Sequence, residues 1–283
     1  MDRKNPLIHR RGSQPQDETY LRILKNKLTS TINFQAQQYG ESHLKRRLRV
    51  RMRVLDIKTF GEYSNYLDKT PEEYEKLSKI LTVNVTEFFR NPSTFDAIKN
   101  MVIPQIIGQK RNTGKKSIRI WSAGCSDGKE VYSLTILLYE FLKDEINDYL
   151  ITIFASDIDK EILDKGRVGW YSKNEINDIE GRYLHKYFVE DGEGYKVTSQ
   201  LKRFVKFEKR DLITDKKHTM FDLILCRNVV IYFSTPLKMR LYMDFYNALG
   251  RGGYFVMGKT ETLSGEARTK FNVIDNRERI YQK

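Results

Sequence analysis

The chain has few of the residues that staple or metallate a fold. Two of its 283 residues are cysteine and four are histidine. Cys125 and Cys226 fall in different predicted elements, so no disulfide framework is expected and a reducing compartment is implied. Two cysteines and four scattered histidines argue against zinc, and no metal is expected. No apolar run reaches the roughly 20 residues needed to cross a bilayer. The opening MDRKNPLIHRRGSQPQ has basic residues but no apolar h-region, so it does not read as a secretory signal. A cytoplasmic protein without membrane insertion is the expectation. The 40% hydrophobic content is ample for a packed core.

Acidic residues are also in deficit, at 37 against 50 Lys and Arg, which leaves a net charge of +13. The imbalance is concentrated: residues 1–60 hold 14 Lys/Arg against 5 Asp/Glu, or +9. Such a field favours an acidic partner, whether nucleic acid, anionic lipid or an acidic protein face, and charge alone does not choose among them.

Residues 1–17 read as a flexible polar tail. Residues 18–90 read as an all-helical domain, with apolar residues at helical spacing in YLRILKNKL and SHLKRRLRVRMRVL. Thr70-Pro71-Glu72-Glu73 reads as a helix start, with Thr70 as N-cap and Pro71 as the first helical residue. Residues 91–116 read as a linker helix to about Ile107, followed by the loop GQKRNTGKK. Residues 117–283 alternate strand and helix, which predicts a parallel sheet covered by helices. Strands are expected at Ile118–Trp121, Ile151–Ala155, Phe204–Phe207, Phe221–Cys226 and Gly253–Met257. Phe271–Asp275 and Arg279–Gln282 read as a closing hairpin. Tyr187–Val189 and Tyr195–Val197 flank a Gly-rich turn and read as a small inserted β-subdomain at about 183–203. The fold class is therefore α/β, a Rossmann-like sheet with an N-terminal helical domain and a small β insert.

The stretch IRIWSAGCSDGKEVYSL carries the first chemical signal. A strand ends in a small-residue turn that includes Ala123 and Gly124, and a helix reopens at Lys129. Ligand polar groups could approach the backbone N–H groups there. A tight strand-to-helix connection would look the same from the turn alone. Glu130 lies near the new helix N-terminus and Asp157 ends the next strand, where a carboxylate can accept both ribose hydroxyls. Either acid alone could be a dipole partner or cap. Together they favour a cofactor site. The spacing Gly124-x-x-x-Gly128 is not G-x-G-x-x-G, and Asp127 and Glu130 would repel a pyrophosphate. S-adenosylmethionine has no phosphate and carries an ammonium and a sulfonium, so it suits an acidic turn better.

Three further segments stand out. Arg227 and Asn228 follow the buried run FDLILC at its carboxyl end, where open α/β sheets bind ligands, although simple strand termination would also place a polar pair there. Tyr232 follows in an apolar setting and could be core. Asn84, Thr86 and Arg90 in NVTEFFR could be aimed together by a turn, but spacing alone favours a cap and a surface arginine. In the helix His43–Leu55, Leu44, Leu48, Met52 and Leu55 form an apolar stripe. Lys45, Arg46, Arg49 and Arg53 form a basic face on one side, and Arg47 and Arg51 flank the other. Six basic residues in nine positions, with no acid among them, favour binding of an acidic surface over mere solvation.

Taken together, HLKRRLRVRMRVL with FGEYSNYL, VNVTEFFRNPSTF, IWSAGCSDGKEVYSL, FASDID, ILCRNVVIYF, LGRGGYFVMGKTETL and RIYQK resemble the chemotaxis receptor methyltransferases, the CheR family. The resemblance covers roughly residues 18–283. It implies methyl transfer from S-adenosylmethionine to glutamates of a chemoreceptor's cytoplasmic helical bundle, giving glutamate methyl esters and S-adenosylhomocysteine. By the resemblance, Asn84, Thr86 and Arg90 reach the cofactor from the helical domain. Glu130 holds the methionine amino end, Asp157 the ribose, Asp211 and Leu212 lie by the adenine, and Arg227 and Asn228 lie near the methionine. Arg90 and Tyr232 face the transferred methyl, and the basic helix grips the receptor. The small hairpin matches a subdomain that in some members docks a receptor-tail peptide. The chain departs from the family's usual Gly-Glu-Glu-Pro-Tyr-Ser with Lys129 and Val131, and has Asp211 where Asn is usual. Lys129 is expected to add positive charge near the methionine end.

A glutamate is already ionised at neutral pH, so no general base is needed. An RNA or DNA methyltransferase is the first rival, but Arg227-Asn228-Val229-Val230 stands where a D/N-P-P-Y/F/W motif would be expected, and there is no Pro-Cys pair. A non-catalytic cofactor-binding adapter is the second, and intact Glu130, Asp157, Arg90 and Tyr232 argue against it.

Overall fold

The computed structural model describes residues 15–82, 84–216 and 218–283. The described residues fall into two compact units, which divide between residues 83 and 84. Of the expected tail, residues 1–14 lie outside the described residues. Residues 15–17 do not continue it. Helix α1, Pro15–Ile32, already includes them, with Asp17 and Glu18 suiting its N-terminal dipole.

In the first unit α1 is followed by α2 (Glu41–Val54), α3 (Phe60–Lys69) and α4 (Glu72–Leu81). Each helix buries an apolar stripe: Leu21, Leu24 and Leu28 of α1, Leu44, Leu48 and Met52 of α2, Phe60, Tyr63 and Leu67 of α3, and Tyr74, Leu77 and Leu81 of α4. Helix α3 starts in a capping box. Thr59 accepts from the Glu62 N–H, and the Glu62 carboxylate accepts from the Thr59 N–H. The expected Thr70 cap does not form. Helix α4 starts at Glu72, and the Thr70 backbone carbonyl accepts from the Glu73 N–H at 3.0 Å. Glu73 is buried because Arg51 grips it with two 2.7 Å bonds and the Tyr63 hydroxyl donates a third at 3.0 Å. Arg51 is therefore an internal strut between α2 and α4 and is withdrawn from the basic surface.

The second unit begins earlier than the expected boundary after residue 90. Aromatic packing is the reason. Phe88 meets Tyr171 and Phe188 edge-on at 5.0 and 5.4 Å, and Phe89 stacks on Tyr183 at 5.6 Å. Asn84, Thr86 and Arg90 thus belong to the sheet-bearing unit and not to the helical one. Helix α5 (Pro92–Ala97) runs through a wide π-turn, Ile98–Val102, into α6 (Ile103–Thr113). Pro104, which lacks an N–H and crowds the preceding turn, accounts for the widening. The expected loop from Gly108 is instead helical to Thr113. It ends at Gly114, whose φ of +67° stops the helix.

Strand β1 (Ser117–Ala123) leads to α7 (Lys129–Leu142), β2 (Leu150–Asp157) and α8 (Lys160–Val168). Then come β3 (Trp170–Ser172), α9 (Gly181–Tyr187), β4 (Phe188–Asp191), β5 (Gly194–Val197), α10 (Ser199–Lys202) and β6 (Val205–Lys209). The chain closes with β7 (Phe221–Cys226), α11 (Thr235–Ala248), β8 (Leu249–Met257), α12 (Ala267–Lys270), β9 (Asn272–Asp275) and β10 (Ile280–Gln282). The main sheet has the order β6-β2-β1-β7-β8-β10-β9. Its first five strands are parallel, and β10 and β9 add antiparallel. The fold is the expected Rossmann-like sheet. The small sheet is three-stranded, β3-β5-β4, so the insert starts at Trp170 and not near residue 183. A three-residue strand is too short to show alternation.

Burial gives the helical unit a pH dependence. Its burial, next to Arg47 and Arg46, pushes the His43 imidazole down to about 4. The unfolded chain takes up a proton near the ordinary value of 6.5 while the folded unit does not, so stability is full above about 6.5 and falls as pH drops toward 4. Thermal melts at pH 7 and 5 should show wild type losing more melting temperature on acidification than His43→Gln.

Candidate functional site

Three neighbouring strand ends converge on one place. In register, Ala123 of β1 lies opposite Ser156 of β2, and Ser122 opposite Leu225 of β7. The chain runs outward from β1 through β2 to β6, then returns to the other side of β1 as β7. The β1–β7 boundary is thus a topological switch point, the usual ligand crevice of open α/β sheets. Gly124 and Arg227 follow the ends of β1 and β7, and Asp157 closes β2.

Gly124 has a φ of +82°, and a Cβ there would sit 2.4 Å from a Val229 methyl, so only glycine fits. The turn after it is already internally bonded. The Gly124 and Cys125 N–H groups donate to the Ser156 carbonyl at 2.8 and 2.9 Å, and the Gly128 N–H to the Cys125 carbonyl at 3.1 Å. The Ser126 N–H donates to Asp157 Oδ2 at 2.9 Å. The expected approach of ligand polar groups to these amides is therefore excluded for four of them, and a phosphate would find them occupied. This replaces part of the charge argument against a pyrophosphate. Asp127 is buried and neutralised by Lys129 at 2.6 Å and Lys165 at 3.3 Å, so it does not contribute free negative charge.

Glu130 accepts from the Ser122 hydroxyl at 2.7 Å and from Arg227 Nη1 at 3.1 Å. Arg227 Nη2 donates to the Arg90 carbonyl at 2.6 Å and to Asn91 Oδ1 at 3.0 Å, and the guanidinium lies over the Phe95 ring. Arg227 thus faces inward and pins the 84–91 segment to the sheet. Removing one partner of such a buried pair typically costs about 3–5 kcal/mol. Phe89 and Asn91 hold φ values of +51° and +61° in this segment. The Phe89 N–H is taken by the Ser133 hydroxyl at 2.9 Å. Arg90 Nη1 returns to the Val85 carbonyl at 2.9 Å, and Thr86 is half-buried between them in sequence.

Asn84 donates to Asp159 Oδ2 at 2.8 Å, and its carbonyl accepts from the Ser126 hydroxyl at 3.3 Å. Asp159 caps α8 through the Glu161 and Ile162 N–H groups, and its own N–H donates to Asp157 Oδ1 at 3.1 Å. Asn84, Asp159, Asp157 and Ser126 are therefore one connected corner. Burial pushes the Asp157 carboxyl above its ordinary value, against the pull of the Asp159 and Ser126 N–H groups. Arg210 N–H donates to the Asp157 carbonyl at 2.8 Å, which brings Asp211 and buried Leu212 to the β6 side of this corner. The Asp211 carboxylate is engaged locally, with the Ile213 N–H at 2.8 Å and the Thr214 hydroxyl at 3.1 Å.

Asn228 adopts a φ of +61°, and its buried Oδ1 meets no donor among the described residues. Its N–H donates at 3.1 Å to Glu261, a buried carboxylate that also takes the Gly258 N–H at 2.6 Å. Tyr232 ends the short turn Val230–Tyr232 just beyond. Sequence reasoning passed over Asp159, Ser126 and Glu261. Glu261 was detectable by the rule that found Asp157, an acid just past an apolar strand. The residues present suit S-adenosylmethionine. Glu130 and the orphaned Asn228 oxygen can accept from an ammonium, Asp157 from a ribose, and no phosphate has to be placed. Among the described residues no cluster of His, Cys, Asp or Glu could hold a metal ion.

Lys129 does not face the methionine end as expected. It is 4% exposed and turned toward Asp127 and Glu175, the latter at 3.0 Å. On α2, Lys45 is drawn to Glu41 at 2.6 Å and Arg46 to His43 at 3.3 Å. Arg46, Arg49 and Arg53 are exposed, and Val50 and Val54 share their side of the helix at 36% and 68% exposure. The exposed face is thus both basic and apolar. No helix among the described residues is long and apolar enough to cross a membrane.

Comparison with known proteins agrees over both units. The CheR methyltransferase all-alpha domain matches residues 21–82, and the CheR methyltransferase SAM binding domain matches residues 84–280. A chemotaxis protein methyltransferase of Listeria monocytogenes is 32% identical over 238 residues, covering 84% of this chain and 88% of its own. One from Borreliella burgdorferi is 30% identical over 263 residues, covering 89% and 93%. A probable chemotaxis protein methyltransferase of Rhizobium etli is 32% identical over 236 residues, covering 81% and 87%. With its helical unit and its S-adenosylmethionine-binding sheet both matched, the chain belongs to the CheR methyltransferase family.

Proposed function

We propose that this protein methylates glutamate carboxylates in the cytoplasmic helical bundle of chemoreceptors, in the cytoplasm, for chemotactic adaptation. The reading is carried by the joint match of both family domains, in a chain whose Asp157 closes β2 while Arg227, just past β7, pairs with Glu130 in the first turn of α7 after β1. When bound, S-adenosylmethionine would supply an electrophilic methyl on its sulfonium sulfur, with S-adenosylhomocysteine as the leaving group that retains the broken bond's electron pair.

The residues of this chain bind and position. Glu130 and Asn228 hold the amino end of the methionine, with Arg227 keeping Glu130 in place. Asp157 takes the ribose, and Asp211 and Leu212 border the adenine. Ala123 and Gly124 let the backbone lie close to the cofactor. Asn84, Thr86 and Arg90 close over it from the pinned 84–91 segment. Arg90 orients the substrate carboxylate and Tyr232 hydrogen-bonds beside it. The carboxylate oxygen forms the new bond directly, with no proton to move. An anion and a sulfonium lose charge toward the transition state, so alignment and exclusion of water are the protein's contribution.

The receptor side falls to the exposed face of α2. Arg46, Arg49 and Arg53, with Lys45 at the margin, meet acidic side chains, and Val50 and Val54 meet apolar ones between them. A receptor-tail peptide would find an edge strand, β4, in the small sheet.

Tritiated S-adenosylmethionine offered with purified receptor cytoplasmic fragment and, in parallel, with RNA should give base-labile label on the receptor. Label confined to RNA would overturn the reading. Asp157→Ala should weaken cofactor binding by more than about 100-fold in calorimetry, the loss expected for two hydrogen bonds to a charged group. Arg49→Glu with Arg53→Glu should leave that binding unchanged and lower kcat/KM for the receptor about tenfold or more. Raising salt should weaken receptor methylation by wild type without abolishing it, because the valine contacts are unscreened.

A further inference from the structure

Lys129 occupies a place where a lysine is doubly disfavoured. It opens α7, where the helix dipole repels a cation, and it is 4% exposed. Two carboxylates compensate it. Asp127 Oδ2 lies 2.6 Å and Glu175 Oε1 3.0 Å from its ammonium, which also sits over the Tyr171 ring at 4.9 Å. Lys165 completes the cluster, 2.8 Å from Glu175 and 3.3 Å from Asp127. Two acids and two ammonium groups thus balance.

The cluster joins elements remote in sequence. Asp127 belongs to the cofactor turn, and Tyr171 belongs to β3 of the small sheet. Glu175 lies on the short turn after β3, where its second oxygen accepts from the Ser172 N–H and hydroxyl. The buried Tyr171 hydroxyl donates to the Asp127 carbonyl at 2.7 Å. The same ring meets Phe88 edge-on, in the middle of the 84–91 segment. The small sheet therefore braces the cofactor turn through charge and the opposing segment through an aromatic contact.

We infer that Lys129 is a positioning residue that locks the S-adenosylmethionine turn onto the small sheet through Asp127, Glu175 and Tyr171, so that cofactor affinity depends on that sheet. The inference rests on the proposed cofactor. None of these side chains needs to touch it. They fix where Gly124, Ser126 and Gly128 lie.

The test is calorimetric titration of the full chain with S-adenosylmethionine, alongside kcat and KM for the cofactor. Lys129→Met should raise Kd and KM together about tenfold and keep kcat at saturating cofactor within about twofold. Lys129→Glu should be worse, and Lys129→Arg should bind within about threefold of wild type. Tyr171→Phe, which keeps the ring and removes one hydrogen bond, should raise Kd about threefold to tenfold. Folded Lys129→Met with wild-type Kd and KM overturns the inference, as does a fall in kcat at unchanged Kd. If far-ultraviolet circular dichroism shows Lys129→Met unfolded, Tyr171→Phe decides, and wild-type affinity there overturns it. Wild type failing to bind the cofactor would instead overturn the proposed function.

Discussion

The buried contact between Arg227 and Glu130 is the constraint around which the catalytic unit is arranged. It bridges the switch point of the sheet, from the end of β7 to the first turn of α7. With Nη2 the same guanidinium holds the Arg90 carbonyl and the Asn91 side chain. One planar, permanently charged group therefore sets the distance between the sheet, the helix N-terminus and the covering segment. Lysine could not reproduce this, because a single ammonium lacks the fork that serves three acceptors at fixed angles. The left-handed backbone at Phe89 and Asn91 is held by the same contacts, with the Ser133 hydroxyl accepting from the Phe89 N–H.

Much of the architecture was legible because it rests on periodicity. Helix α7 was readable at Lys129–Leu142 because an apolar surround and a glycine turn mark it. The parallel strands were readable because burial on both faces leaves continuous apolar runs. Short or internally compensated features were not readable. Strand β3 has three residues and no period. Helix α6 runs through GQKRNT because that segment only has to be compatible with a helix already nucleated upstream. The first unit ended before Asn84, although nothing in the spacing of NVTEFFR says that Phe88 and Phe89 pack with the sheet-bearing unit.

Site residues divide along the same line. Glu130, Asp157 and Arg227 were identifiable as polar groups at strand ends, where core packing does not require them. What each one binds was not, because pairing partners are distant in sequence. Arg227, expected near the methionine, gives both terminal nitrogens to protein groups and keeps a buried Nε–H without a partner among the described residues. Arg51 reads as surface charge in the sequence and is instead half-buried, paired with the buried Glu73. Lys129 was counted as a site charge and belongs to a neutral cluster. Asp159 went unnoticed, since a cap at a helix start is an ordinary use of aspartate, yet it joins Asn84 to Asp157.

Hydrogen bonding, more than charge, makes the turn unsuited to a phosphate. An acidic turn would have rejected phosphate by repulsion, but most of that charge is compensated inside the protein. Rejection comes instead from the hydrogen bonds. A phosphate-binding turn has to present free N–H groups, and here the amides of Gly124, Cys125, Ser126 and Gly128 are spent on Ser156, Asp157 and Cys125. What the strand ends present is mainly acceptors: the carboxylates of Glu130 and Asp157 and the orphaned oxygen of Asn228. Acceptors beside one donor without a partner among the described residues, the buried Arg227 Nε–H, suit a ligand that brings its own donors, a positive charge and a single carboxylate. An ammonium, a ribose diol and a sulfonium meet that description, and a dinucleotide pyrophosphate does not.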